Sequence, residues 1–161
     1  MKEVKFEFLY EIYDDIAELA ATDAELLSKA RSVTEKAYAP YSHFHVGAVA
    51  RMANGEFIAG TNQENASYPV GICAERVLLG NAATLHDGIS IDSLAISYSS
   101  HNVESNHPIS PCGMCRQALL EYESRLKQPI RLILAGQKGK IQVIHSISSL
   151  LPFAFTSDEL L

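Results

Sequence analysis

The sequence predicts an α/β fold of three layers, in which helices cover both faces of a central mixed sheet of five strands. The first observation is a hairpin, because two apolar runs at 46–52 and 57–60 flank the tight-turn pair Asn54-Gly55. The second is the order after the hairpin, where strand-like apolar runs alternate with stretches of helical periodicity. A hairpin followed by such alternation indicates a mixed sheet rather than a purely parallel one.

Length and composition limit the function before any motif is considered. With 161 residues, we expect a single domain over 1–161, in which residues 1–21 form an N-terminal extension. A net charge of −6 provides no basic surface for nucleic acid, which is not expected as a partner. Charges interrupt the N-terminus where a signal peptide needs an apolar core, and no run is long enough to span a bilayer. We therefore expect no membrane partner and a cytoplasmic location.

The N-terminal extension has the periodicity of a half-buried strand. Apolar side chains occupy the even positions of 4–10, and Lys5 and Glu7 between them are charged. This pattern predicts an added edge strand at 4–10. A helix with Ile12, Ile16 and Leu19 on its apolar face is the alternative.

A helix is expected next, and the remaining elements follow from apolar runs. Thr22 or Asp23 is expected to cap the first helix, which runs to about Tyr38 before Pro40 stops it. The later elements are a helix near 73–85, a strand near 93–98, a polar loop at 99–110, a helix from Pro111, and strands near 130–134 and 140–143.

Two of the three cysteines lie in Pro111-Cys112-Gly113-Met114-Cys115-Arg116, at the predicted start of that last helix. Positions three apart share one helical face, so both sulfurs can point at one ion. The free N–H groups of a helix N-terminus also favour thiolate over thiol. By itself the pair leaves three interpretations open: a metal site, a redox pair or two buried thiols.

The third cysteine, Cys73, begins another apolar-periodic helix and is followed by Glu75. A His or Cys, one residue, a Glu and a downstream Pro-Cys-x-x-Cys form the signature of zinc nucleobase deaminases. Three protein ligands leave one coordination position for water, which is typical of catalytic zinc. A closed structural site completed by His107 or His145 is the alternative, but such a site has no use for Glu75.

Five segments carry a more specific resemblance. They are 37–48 (AYAPYSHFHVGA), 62–68 (NQENASY), 73–76 (CAER), 111–117 (PCGMCRQ) and 150–155 (LLPFAF). In their order and spacing the chain resembles the small cytidine deaminases of pyrimidine salvage, from about Leu26 to the C-terminus. The first twenty or so residues are not covered.

The resemblance implies the reaction and the metal. It implies hydrolytic deamination of cytidine and deoxycytidine to uridine and deoxyuridine, with release of ammonia. One Zn²⁺ per subunit is implied to be held by Cys73, Cys112 and Cys115, and Glu75 to transfer the protons. Arg76 is implied to donate hydrogen bonds to the ligand thiolates, and Arg116 to assist.

The resemblance also implies the substrate contacts. Asn62 and Glu64 are implied to bind the ribose 3′ hydroxyl, Phe44 to pack against the pyrimidine, and Ala74 to present backbone groups to the base. Phe155 is implied to close the pocket of a neighbouring subunit in a homotetramer, although Phe153 stands nearby where the family usually has a small residue.

Two other functions stay open on the sequence alone. One is a related zinc deaminase that acts on another base or on a nucleoside antibiotic, with the same metal site and a different pocket. The other is a zinc-stabilised interaction module without catalysis. Nothing identified in the sequence distinguishes ribose from deoxyribose.

Overall fold

The structure, a computed structural model, describes residues 1–160, so the predicted domain boundary at Leu161 lies outside the described residues. A six-stranded mixed sheet is built from β1 (Tyr10–Tyr13), β2 (Phe44–Met52), β3 (Phe57–Thr61), β4 (Ile91–Ser100), β5 (Arg131–Ala135) and β6 (Ile141–Ile144). The strand order is β1-β6-β5-β4-β2-β3. Strands β4 and β5 are parallel, and the other neighbouring strands are antiparallel. The five predicted strands are confirmed, and β1 adds a sixth at the edge.

Helices cover both faces of this sheet, as predicted. They are α1 (Ala21–Val33), α2 (Ala74–Leu85) and α3 (Gly113–Leu126). Helix α1 packs on one face with Leu26, Leu27 and Ala30 fully buried, while α2 and α3 pack on the other. In the part of the chain that the structure describes, no helix has the length and apolar character needed to cross a membrane.

The predicted N-terminal strand is displaced along the chain. Residues 1–9 have no regular secondary structure, and the edge strand is Tyr10–Tyr13 instead of 4–10. Its partner explains the shift, because β6 offers only the four positions from Ile141 to Ile144, which pair with Tyr13 to Tyr10. The alternative helix is wrong as well, since it is reduced to a single 3₁₀ turn at Ile16–Glu18.

The first helix also begins and ends earlier than predicted. Ala20 is its N-cap, so neither Thr22 nor Asp23 caps it. Asp23 has a different role: its buried carboxylate forms an ion pair of 2.8 Å with Arg131 on β5, which fastens α1 to the sheet. The helix ends at Val33, and a 3₁₀ turn at Thr34–Lys36 replaces its predicted last turn.

Candidate active site

The topology of the sheet brings the two cysteine-bearing helices together. Strands β3 and β4 are both antiparallel to β2, so they run in the same direction and end at the same side of the sheet. Helix α2 follows β3 and helix α3 follows β4 along the chain. Both helices therefore begin at that side, with Cys73 as the N-cap of α2 and Cys112 as the N-cap of α3.

A close approach of backbone fixes the start of α2. A Cβ atom at Gly60 on β3 would overlap the carbonyl oxygen of Ala74 and the backbone of Leu78. Only glycine therefore lets the first turn of α2 lie directly against β3. The position of Cys73 depends on this contact, because it immediately precedes that turn.

The three sulfurs form one cluster. The Sγ atoms of Cys73, Cys112 and Cys115 lie within 4.8 Å of one another. The distance is 4.0 Å from Cys73 to Cys112 and 3.5 Å from Cys112 to Cys115, so the cysteines are free thiols. A tetrahedral zinc ion with Zn–S bonds of about 2.3 Å holds its sulfurs about 3.8 Å apart. The spacing fits such an ion, and neither N-cap sulfur caps its own helix.

The sulfurs also perturb one another's ionisation. A hydrogen bond from the thiol of Cys115 lowers the pKa of Cys73 to about 6, although burial opposes this shift. The positive charge of Arg76 lowers the pKa of Cys73 further. The same interaction, together with burial and the nearby carboxyl of Glu75, raises the pKa of Cys115. One sulfur of the cluster is thus ready to bind a cation as a thiolate.

Glu75 places a buried carboxyl beside this cluster. It is the second residue of α2 and only 5% exposed, and burial raises its pKa despite an opposing hydrogen bond with the thiol of Cys115. A raised pKa suits a carboxyl that must both take up and release a proton. The cluster and Glu75 together form a metal site with an adjacent proton carrier.

The two arginines near the cluster lie differently. Arg76 acts on Cys73 through its charge. Arg116 donates from Nε to the carbonyl of Pro111 at 2.9 Å and from a terminal nitrogen to the carbonyl of Leu150 at 3.0 Å. Arg116 therefore ties the start of α3 to the C-terminal tail.

Asn62 and Glu64 both bind backbone near the start of β2: Asn62 within the strand and Glu64 just before it. The Asn62 side chain accepts from the amide of Val46 at 2.7 Å and donates to the carbonyl of Phe44 at 2.9 Å. Oε2 of Glu64 accepts from the amides of Tyr41 and Ser42 at 2.9 and 3.3 Å. Burial raises the pKa of Glu64, but a hydrogen bond with the Ser42 side chain, together with these two amides, outweighs it and lowers the pKa overall.

Phe44 stacks on Tyr98, a residue of β4 for which the sequence predicted no role in the site. The ring centroids of Phe44 and Tyr98 lie 4.8 Å apart at an interplanar angle of 19°. Tyr98 is fully buried, and its hydroxyl lies 3.1 Å from Nδ1 of His107. Its place within β4 gave no sign of this contact, although a tyrosine in a strand could have suggested a polar partner for its hydroxyl.

The remaining predicted contacts lie at the surface and at the start of α2. Ala74 is buried as the first residue of α2. Phe155 is 59% exposed, while its carbonyl accepts a hydrogen bond of 3.0 Å from the side chain of Gln117 on α3. Phe153 is fully exposed, at a left-handed backbone position with φ of 56°.

Comparison with known protein families shows a match over most of the chain. Residues 20–128 match the family described as the cytidine and deoxycytidylate deaminase zinc-binding region. The chain belongs to this deaminase family. Its zinc-binding character and the three-sulfur cluster together identify the metal as zinc.

Relatives within the deaminase family match most of the chain. A cytidine deaminase of Halalkalibacterium halodurans is 37% identical over 137 residues, which are 84% of this chain and 95% of the relative. The crystal structure of cytidine deaminase from Burkholderia pseudomallei superposes with a TM-score of 0.71 at 36% identity, over 85% of this chain and 100% of the other. A blasticidin-S deaminase of Bacillus cereus is 31% identical over 140 residues, 86% of this chain and 95% of the relative.

Proposed function

We propose that this chain is a cytidine deaminase that hydrolyses cytidine and deoxycytidine to uridine and deoxyuridine with release of ammonia. The observation that carries the proposal is the contact between the buried carboxyl of Glu75 and a cluster of three sulfurs suited to zinc. Membership of the deaminase family and the similarity to cytidine deaminases of known structure support it.

The metal ligands are Cys73, Cys112 and Cys115. Bound zinc supplies Lewis acidity that lowers the pKa of a water molecule from about 15.7 toward 7. Three thiolates carry one negative charge more than zinc carries positive, which works against that acidification. Arg76 offsets the excess through the same charge that lowers the pKa of Cys73. Arg116 assists by its position in the first turn of α3, next to Cys115.

Glu75 carries protons between water and the base. Its carboxylate takes a proton from the attacking water and delivers it to ring nitrogen N3, while the water oxygen forms a bond to C4. Glu75 then transfers the second proton of that water to the exocyclic nitrogen, the C4–N bond breaks and ammonia leaves. The oxygen remains on C4 as the carbonyl of uridine.

Four residues are assigned to bind the nucleoside. The amides of Tyr41 and Ser42 both donate to Oε2 of Glu64, and Oε1 is assigned to accept from the ribose 3′ hydroxyl. Asn62, whose side chain is held by the backbone of Phe44 and Val46, is assigned to the same hydroxyl. Phe44 packs against the pyrimidine, and Ala74 presents backbone groups to it.

A homotetramer completes the pocket. Apolar side chains are exposed around the candidate site, among them Met114 at 64%, Tyr68 at 78% and Phe155 at 59%. A neighbouring subunit would cover them, with Phe155 reaching into the adjacent pocket. We further propose one catalytic domain over 1–161 and, because the cysteines serve as reduced metal ligands, a cytoplasmic location.

A second candidate function is deamination of a nucleoside antibiotic. The similarity to a blasticidin-S deaminase favours it, because that enzyme matches this chain over nearly its whole length. Both functions need the same metal site, so they differ only in the pocket. A panel of cytidine, deoxycytidine and cytosine-containing antibiotics, assayed for released ammonia, separates them.

The decisive test is the loss of cytidine absorbance on conversion to uridine by zinc-loaded protein. We expect turnover of cytidine and deoxycytidine that a zinc chelator abolishes and added zinc restores. If zinc-loaded protein leaves both nucleosides unchanged, the proposal is wrong, and the antibiotic panel then separates the second candidate from an interaction module without catalysis.

A further inference from the structure

Residues 1–9, called here the N-terminal arm, expose a row of large apolar side chains. Val4 is 84% exposed, Phe6 58%, Phe8 41% and Leu9 86%. A soluble chain rarely exposes such a row without a partner. The arm also lies outside the family match, which begins at residue 20, and none of its residues is among those proposed for the deaminase reaction.

The arm has the side-chain geometry of a strand. Lys5 forms an ion pair with Glu7, and the rings of Phe8 and Tyr10 lie 5.9 Å apart. Each pair is two positions apart, and such residues share one face only when the backbone is extended. The arm thus presents Val4, Phe6 and Phe8 on one face, and the charges of Lys5 and Glu7 followed by Leu9 on the other.

The arm leads into an open sheet edge. Tyr10 begins β1, the outermost strand, which pairs with β6 on its inner side alone. Its other edge carries unpaired N–H and C=O groups in the described chain. An exposed edge beside a row of apolar side chains is a template for another strand.

The sequence of the arm is complementary to itself in one register. If two arms run antiparallel with Phe6 opposite Phe6, Lys5 of each lies opposite Glu7 of the other, and Val4 lies opposite Phe8. Moving the register by two residues places Lys5 opposite Lys5 or Glu7 opposite Glu7. Moving the register by one residue places charged residues opposite apolar ones. Parallel pairing in register places identical charges opposite each other.

We propose that the N-terminal arms of two copies of this chain pair as antiparallel strands, with Phe6 at the two-fold axis. The partner is a second copy because an identical arm supplies both charges and both apolar residues in reverse order. The interface is isologous, so each arm pairs with one other arm and strand addition stops there. It extends the sheet edge at β1, and it is separate from the contacts proposed around the metal site.

Single cysteines test the register in the zinc-loaded protein, whose native cysteines are then metal ligands. Opposite residues of an antiparallel pair have Cα atoms about 4.5–5.5 Å apart, within reach of a disulfide. We expect Phe6→Cys to form a disulfide-linked dimer under mild oxidation, seen on a non-reducing gel and located by peptide mass spectrometry. Val4→Cys is the matched control, because its two copies would be about 14 Å apart. The double variant Val4→Cys/Phe8→Cys should cross-link again.

Charge reversal tests the pairing itself, on the Phe6→Cys background. Lys5→Glu or Glu7→Lys should slow cross-linking about tenfold, because each replaces two attractive pairs by two repulsive ones. The double reversal Lys5→Glu/Glu7→Lys should restore the rate. Glu3→Lys, with the same charge change as Glu7→Lys, lies opposite Leu9 and should have little effect.

Three results would overturn the proposal: no cross-link at Phe6, equal cross-linking at Val4 and Phe6, or no recovery in the double reversal. Deaminase activity is measured on the same samples. The arm takes no part in the proposed chemistry, so activity should stay unchanged. Loss of arm pairing and absence of deamination are therefore separate outcomes.

Discussion

At the scale of single residues, Glu75 can be changed to an amide with almost no change in volume. Glu75→Gln should lower kcat by about 10²–10⁴-fold, because the amide cannot carry a proton between water and the base. Zinc content and melting temperature should stay close to those of the unchanged protein, since the sulfurs are intact. Metal analysis, thermal unfolding and the cytidine assay check this. Retained turnover would contradict the role of Glu75.

Glu64 offers a second test at this scale, aimed at binding. Glu64→Gln keeps an oxygen for the amides of Tyr41 and Ser42 but removes the charge offered to the ribose. We expect KM for cytidine to rise about tenfold or more, as for the loss of a charged hydrogen bond, with a smaller change in kcat. Glu121→Gln on the exposed side of α3 is the control. An unchanged KM would contradict the proposal that Glu64 binds the ribose.

The sequence was most informative about residues whose chemistry demands a fixed spacing. Cys73, Cys112 and Cys115 could be predicted to meet because a metal needs several sulfurs at once, and the structure brings them within 4.8 Å. The stack of Phe44 on Tyr98 could not be predicted, because contacts between strands depend on register and leave no local pattern.

At the scale of elements, Gly60 controls where α2 begins. Gly60→Ala should lower the free energy of unfolding by about 1–3 kcal/mol and weaken zinc binding, because the new methyl group pushes the first turn of α2 from β3. Gly80→Ala is the control, because Gly80 lies within α2 and a Cβ there would have open space around it. This change should raise the free energy of unfolding by about 0.5–1 kcal/mol. Thermal unfolding and zinc titration measure both. Equal effects would contradict the role of Gly60.

Elements defined by both an apolar run and a turn were predicted well, as for the hairpin of β2 and β3. Elements that depend on a distant partner were not. The strand predicted at 4–10 lies at Tyr10–Tyr13, because β6 alone decides which residues pair. Similarly, Asp23 looked like a helix cap but pairs with Arg131, more than a hundred residues away.

At the scale of the whole molecule, zinc should stabilise the fold. At a free zinc concentration 1,000 times Kd, the gain is about 4 kcal/mol, or a rise in melting temperature on the order of 10 °C for a chain of this size. Calorimetry with and without chelator measures it. Glu75→Gln should show the same shift, because its ligands are unchanged. A melting temperature independent of zinc would contradict metal binding at the folded cluster.

The meeting of two helix N-termini at one cluster has a consequence for local motion. Cys73 and Cys112 are 39 positions apart, so a shared ion closes a loop that contains α2 and β4. In the chain-entropy treatment of disulfides, closing a loop of that length stabilises the folded state by about 4 kcal/mol. Amide hydrogens of α2 and the start of α3 should thus exchange much faster once the ion is withdrawn, while those of α1 and β6 keep their protection.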